Sequence, residues 1–195
     1  MQLLNTTLAA TVGVAISLAS AAVAEDFQPE PDFISLFNGK DLTGWGYETG
    51  EKFDGKTEAS DGRYKVGEGM IIVSSQDESR GPRLRQMWTT QQFAKDFVLR
   101  LEFRAAVNAD SGIFLRKPQL QCRDYLVAGP YKTLKSYKPQ DWNVIEVTVK
   151  NNVARCTCNG EVLEEALQLP PTGPIGLEAD HGQMEYRRIR IKELP

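Results

Sequence analysis

Positive charge is not in excess in this 195-residue chain: 23 Lys and Arg stand against 26 Asp and Glu, a formal net charge of −3. That balance excludes the basic stripe carried by a nucleic-acid binder. Beyond the N-terminus no uncharged apolar run approaches the roughly 20 residues that cross a bilayer as a helix. Histidine occurs once, at His181, which excludes a multi-histidine zinc centre. There is no Gly-rich phosphate loop, no G-x-S-x-G elbow and no C-x-x-C pair. Helical periodicity is weak throughout. EVLEEALQL, from Glu161, is the one candidate, and its neighbours make it a strand and loop.

Cysteine is scarce and odd in number: Cys122, Cys156 and Cys158. At least one must stay unpaired. Cys156 and Cys158 stand two apart, so on a strand they share a face, a poor geometry for bonding each other. All three read as small apolar fillers, with a bridge from Cys122 to one of the others as the alternative.

The first 24 residues lack any charged side chain. Their centre is apolar and small, and they end in Ala22-Val23-Ala24, the A-x-A form that precedes a signal-peptidase cut. Only the α-amine supplies positive charge. Ala and Thr dilute the segment and no basic stop-transfer cluster comes after it, so Met1–Ala24 is expected to be a cleaved leader rather than an anchor. The expectation is a periplasmic or secreted protein whose single domain spans residues 25–195.

The chain beyond this leader is rich in turn signals. Asn38-Gly39, Asp54-Gly55, Asp61-Gly62, Asn151-Asn152, Asn159-Gly160 and His181-Gly182 punctuate it. Between them lie short β-rich runs: 70–74, 97–105, 113–116, 120–125, 144–150, 153–158, 161–163 and 185–192. Phe97, Leu99, Leu101 and Phe103 fall on one face, as do Ile145, Val147 and Val149. The Asn-Asn centre joins two runs as a hairpin. Residues 44–69 read as mostly loop. Many short strands with one apolar face predict two antiparallel sheets packed face to face.

Polar rows are the chemical signal. Arg100, Glu102 and Arg104 alternate with core residues, each roughly 6–7 Å from the next. Gln119, Gln121, Arg123 and Tyr125 form a similar row. Side by side they would make a surface for sugar hydroxyls, with Trp45, Trp142 or Tyr125 offering aromatic faces. The alternative is a solvated outer face with cross-strand ion pairs. His181, beside Asp180 and a Gly, is either a surface histidine or a general acid or base.

FISLFNGKDLTGW (from Phe33), DFVLRLEFRAAVNADSGIFLR (from Asp96), QLQCRDY, DWNVIEVTVKNNVARCTCNGEVL and GPIGLEADHGQMEYRRIRIKEL together resemble the 3-keto-disaccharide hydrolase family, also described as 3-keto-glucoside 1,2-lyase/3-keto-2-hydroxyglucal hydratase. The resemblance spans nearly the whole chain after the leader. It departs at Asp110, where the family often has Asn, and at Gln119, where it often has Glu. It implies an all-β, concanavalin A-like jelly-roll sandwich and a carbohydrate-active enzyme.

The chemistry so implied needs few carboxylates. A ketone at C3 acidifies the C2 hydrogen, a base removes that proton, and the C1 substituent leaves by β-elimination, with water able to add back. Glu102, His181 and Asp124 are the expected catalytic residues. Arg104, Arg116, Gln121, Arg123 and Trp45 are the expected substrate-binding residues, the guanidiniums holding an enolate or hydroxyls with a fixed fork of donors. A divalent cation is neither required nor excluded, and Asp110 and Asp124 are its candidate ligands. No motif holds a nicotinamide, so a separate oxidoreductase would supply the ketone. Ordinary glycoside hydrolysis, which wants two flanking carboxylates, and a non-catalytic carbohydrate-binding module are the alternatives.

Overall fold

A computed structural model describes residues 27–74, 85–127 and 129–195. The expected leader, Met1–Ala24, lies outside them. Among the described residues there is no helix, and the strand pairings are antiparallel.

Thirteen strands are described. They are β1 (Ile34–Ser35), β2 (Trp45–Tyr47), β3 (Tyr64–Gly67), β4 (Met70–Val73), β5 (Arg85–Thr89), β6 (Phe97–Ala105), β7 (Gly112–Leu115), β8 (Gln119–Gln121), β9 (Asn143–Lys150), β10 (Val153–Cys158), β11 (Glu161–Gln168), β12 (Ile175–Ala179) and β13 (Met184–Glu193). The larger sheet runs β11-β10-β9-β6-β13-β4-β3, with β1 added on β13; the smaller runs β2-β5-β12-β7-β8. The architecture is the expected concanavalin A-like jelly-roll sandwich.

Alternation builds the core. Phe97, Leu99, Leu101 and Phe103 of β6 are fully buried, and so are Ile145, Val147 and Val149 of β9. They face Ile113, Leu115, Ile175, Leu177 and Met87 from the smaller sheet, all equally buried. The β9–β10 turn places Asn151 and Asn152 at φ 50° and 62°, both in the left-handed region that a two-residue hairpin demands. Cys122, Cys156 and Cys158 are unbridged and buried. Burial pushes the last two thiols up to about 12.

The sequence pattern missed three features. Residues 44–69, expected as loop, contribute β2 and β3. The run expected over 120–125 keeps strand pairing only to Gln121, so Arg123 and Tyr125 stand beyond β8. β1, β5 and β12 were not expected at all. β12 reads IGLEA with every residue buried, so no polar alternation marks it.

Candidate active site

The two polar rows expected to lie side by side belong to different sheets, since β6 is in the larger and β8 in the smaller. On the outer face of the larger sheet Glu102 accepts from Arg187 at 2.7 Å and Arg188 at 3.0 Å. A bulge in β13, with Arg188 at φ 53°, brings both guanidiniums to one carboxylate. Arg104 pairs with Glu185 at 2.5 Å, and Arg100 pairs with Glu146 at 2.7 Å. Arg104 and Arg187 also lie over the Trp142 ring. This face is a ladder of cross-strand ion pairs.

Three other expected residues are held by the scaffold. Trp45 is fully buried, its indole N–H donating to Leu36 O at 2.7 Å, so no sugar can stack on it. Arg116 is buried and donates to Asn152 Oδ1, Pro170 O and Lys95 O at 2.7–2.8 Å. It ties three chain segments together. Asp124, also buried, accepts from the Asn108 N–H at 3.1 Å and the Gln140 amide at 3.2 Å. Tyr125 is a core ring whose hydroxyl donates to Gln121 O.

The remaining expected residues meet on the smaller sheet. In β12, Ile175, Leu177 and Ala179 point into the core, which sends Gly176 and Glu178 to the outer face. Strand register then makes two rows. Trp88 of β5, Gly176 of β12 and Phe114 of β7 lie abreast. In the next row Gln86 stands opposite Glu178, and Gly112 opposite Gln121. The Trp88 and Phe114 rings, 5.1 Å between centroids, close over Gly176. A Cβ there would lie 2.7 Å from Trp88 Cε3, so the position has room only for glycine.

Glu178 is 6% exposed. The Gln119 amide donates to its carboxylate, and Gln86 donates from the other side. Burial raises its pKa above the ordinary carboxyl range; Asp180 and Asp110 raise it further, and the two amides oppose them. Asp180 is raised by burial and by Asp110, and opposed by His181 and Arg123. Arg123 pairs with Asp110 at 2.8 Å. The backbones of Asp110 and His181 exchange hydrogen bonds of 2.7 and 3.0 Å, which fixes both beside β7 and β12. Beneath them Ser111 donates to Glu178 O.

Among the described residues, Gln121 Oε1, Arg123 Nε and Arg116 Nε are buried without a hydrogen-bond partner. A groove of about 680 Å³ extends from Gln86 past Trp88 and Phe114 to Thr90, Lys52 and Lys117, a size that suits a small-molecule ligand. Among the described residues no three His, Cys, Asp or Glu side chains converge to hold a metal ion. Asp110 and Asp124, the expected ligands, are committed to different partners.

The site therefore gathers Gln121, Arg123, Asp110 and His181 from the expected set. Glu102, Arg104, Trp45 and Asp124 stand apart from it, and Arg116 lines the groove while its guanidinium is held by backbone and Asn152; Glu178, Asp180, Gln86, Gln119, Trp88 and Phe114 join the candidate site. The stretch IGLEAD carried the missing signal. A glutamate two residues after a glycine, between core-facing leucine and alanine, marks a carboxylate on an otherwise apolar strand.

Comparison with known families matches residues 32–192 to a model described as a 3-keto-alpha-glucoside-1,2-lyase-like domain. Two crystal structures from Parabacteroides distasonis ATCC 8503, each provisionally designated a glycosyl hydrolase, share the fold. One is 16% identical, with a TM-score of 0.66 over 87% of this chain and 99% of that one. The other is also 16% identical, with a TM-score of 0.59 over 83% and 99%. No curated protein matches this chain.

Proposed function

The chain belongs to the 3-keto-alpha-glucoside-1,2-lyase-like family, and from that premise we propose that it cleaves 3-keto-glucosides by elimination, with Glu178 as the base. The observation that carries the reading is a buried carboxylate held by two glutamine amides, one strand row from the Trp88–Phe114 pair that lines a ligand-sized groove. Family membership makes the protein carbohydrate-active; the reaction and its residues are our assignment.

A pyranose stacks its C–H face on Trp88 and Phe114. The next row lies roughly 6–7 Å away, which puts the ring edge at Glu178. The carboxylate takes the C2 proton. The C–H electron pair moves toward the C3 oxygen, where the Arg123 guanidinium and the neighbouring amides meet the enolate charge. The enolate reverts to the ketone, a C1–C2 double bond forms, and the C1–O bond breaks. Asp180, raised by burial and by Asp110, is the nearest acid that can give a proton to the departing oxygen. Water then adds across the double bond, oxygen to C1 and hydrogen to C2.

Glu178 and Asp180 place two carboxylates at the C-terminal end of β12, and ordinary glycoside hydrolysis needs a pair of carboxylates. That observation favours ordinary hydrolysis as the second reading. Incubating the purified protein with a 3-keto-glucoside and with its unoxidised parent separates the two. Elimination predicts turnover of the keto form alone. Turnover of the parent overturns it in favour of hydrolysis, and saturable binding without turnover would leave only a carbohydrate-binding role. On the same reading a separate oxidoreductase supplies the ketone, and the leader Met1–Ala24 directs the protein to the periplasm or outside the cell.

A further inference from the structure

We propose that Gln119 is a positioning residue: it reaches across Gly112 to hold Glu178 ionised beside the Trp88–Phe114 row. The inference rests on Glu178 as the base.

Strand order makes the contact unusual. β7 lies between β8, which carries Gln119, and β12, which carries Glu178. Gln119 is registered opposite Phe114, one row away from Glu178. Its side chain nevertheless crosses β7 and donates to the Glu178 carboxylate. The crossing is open only because residue 112 has no side chain. A Cβ on Gly112 would stand 2.6 Å from Gln119 Cγ and 2.8 Å from Cδ. Any larger residue at 112 would close the route between the two strands.

The contact has a definite electrostatic task. Asp180 and His181 follow β12, Asp110 precedes β7 and Arg123 follows β8. Gln86 faces Glu178 from β5, and the Tyr64 and Tyr186 hydroxyls lie beneath. The two aspartates and burial favour the protonated carboxyl; the two glutamine amides, which donate only to its oxygens, favour the charge. A general base must be unprotonated to act, so the amides extend its working range toward lower pH.

The test uses Gln119→Leu, a change at an exposed position, and Gly112→Ala, which leaves Gln119 present but blocks its path. Two readouts are taken on each. The first is the titration of the Glu178 side-chain carboxyl by ¹³C NMR, assigned with Glu178→Gln. The second is the pH profile of kcat/KM on a 3-keto-glucoside. Both variants should move the carboxyl midpoint and the acidic limb upward together, with about a tenfold loss of rate on that limb and recovery on the alkaline side. An unchanged midpoint in Gln119→Leu overturns the inference, as does a loss of rate that is equal at every pH. A moved midpoint with an unmoved rate profile overturns Glu178 as the base while the Gln119 contact stands. Because Gln119→Leu changes no buried residue, the test does not depend on Gly112→Ala folding.

Discussion

Glu178 and Glu102 leave the sandwich through opposite faces. Glu102 stands on the larger sheet between Arg187 and Arg188, and Glu178 on the smaller sheet between two glutamine amides. The first carboxylate is neutralised by cations. The second is buried with neutral donors and with two aspartates nearby, which is how a protein keeps a carboxyl able to gain and lose a proton.

Glu178→Gln should therefore reduce kcat/KM on a 3-keto-glucoside by about 10²–10⁴, the usual contribution of a positioned proton-transfer group. Glu102→Gln should leave turnover within about twofold and cost on the order of 1 kcal/mol of stability through two weakened ion pairs. Steady-state kinetics and denaturant unfolding check the pair. A larger kinetic loss in Glu102→Gln than in Glu178→Gln would reverse the assignment.

Stability should move against activity at the same residue. Because the folded-state pKa of Glu178 is raised, the carboxyl favours folding only while protonated, and that contribution is lost as pH rises through the folded value. Above it the buried charge costs stability. Glu178→Gln should thus melt higher than the parent at about pH 8, with the gap closing toward about pH 4. A parent that melts higher at the alkaline end would show the charge to be better compensated than the two amides allow.

Glu30 works in the other direction. Its hydrogen bonds to Arg190 hold the carboxyl down at about 2, and they fasten residues before β1 to the larger sheet. A depressed pKa contributes stability above the ordinary carboxyl range, lost as pH falls from there toward about 2. Glu30 is 42% exposed, so solvent screening keeps the gain small. Glu30→Gln should lower Tm slightly at neutral pH and match the parent in strong acid, as read by calorimetry across pH.

Trp88→Ala removes the larger half of the aromatic row. KM for the keto-glucoside should rise about tenfold, equivalent to about 1.4 kcal/mol of lost stacking and burial. Gly176→Ala should do similar harm by lifting the Trp88 ring off its floor. If Trp88→Ala binds substrate as the parent does, the sugar lies elsewhere in the groove.

Alternation along 97–105 and 144–150 sufficed to read the sandwich, because side chains of period two on two long strands can bury one face only against another sheet. The Asn-Asn and Asn-Gly turns were legible for a local reason too: few residues other than asparagine and glycine accept the left-handed backbone. The family was readable from motifs spread over the chain. Which polar row borders the candidate site was not readable, since a charged alternation looks the same on either outer face. That choice depended on strand order, which assigns β6 and β8 to different sheets. Glu178 stayed hidden because β12 is buried on both sides and shows no polar period. Only long-range pairing, which brings Gln86, Gly112 and Gln119 around that strand, gives an acidic residue in an apolar run its buried, amide-bound setting.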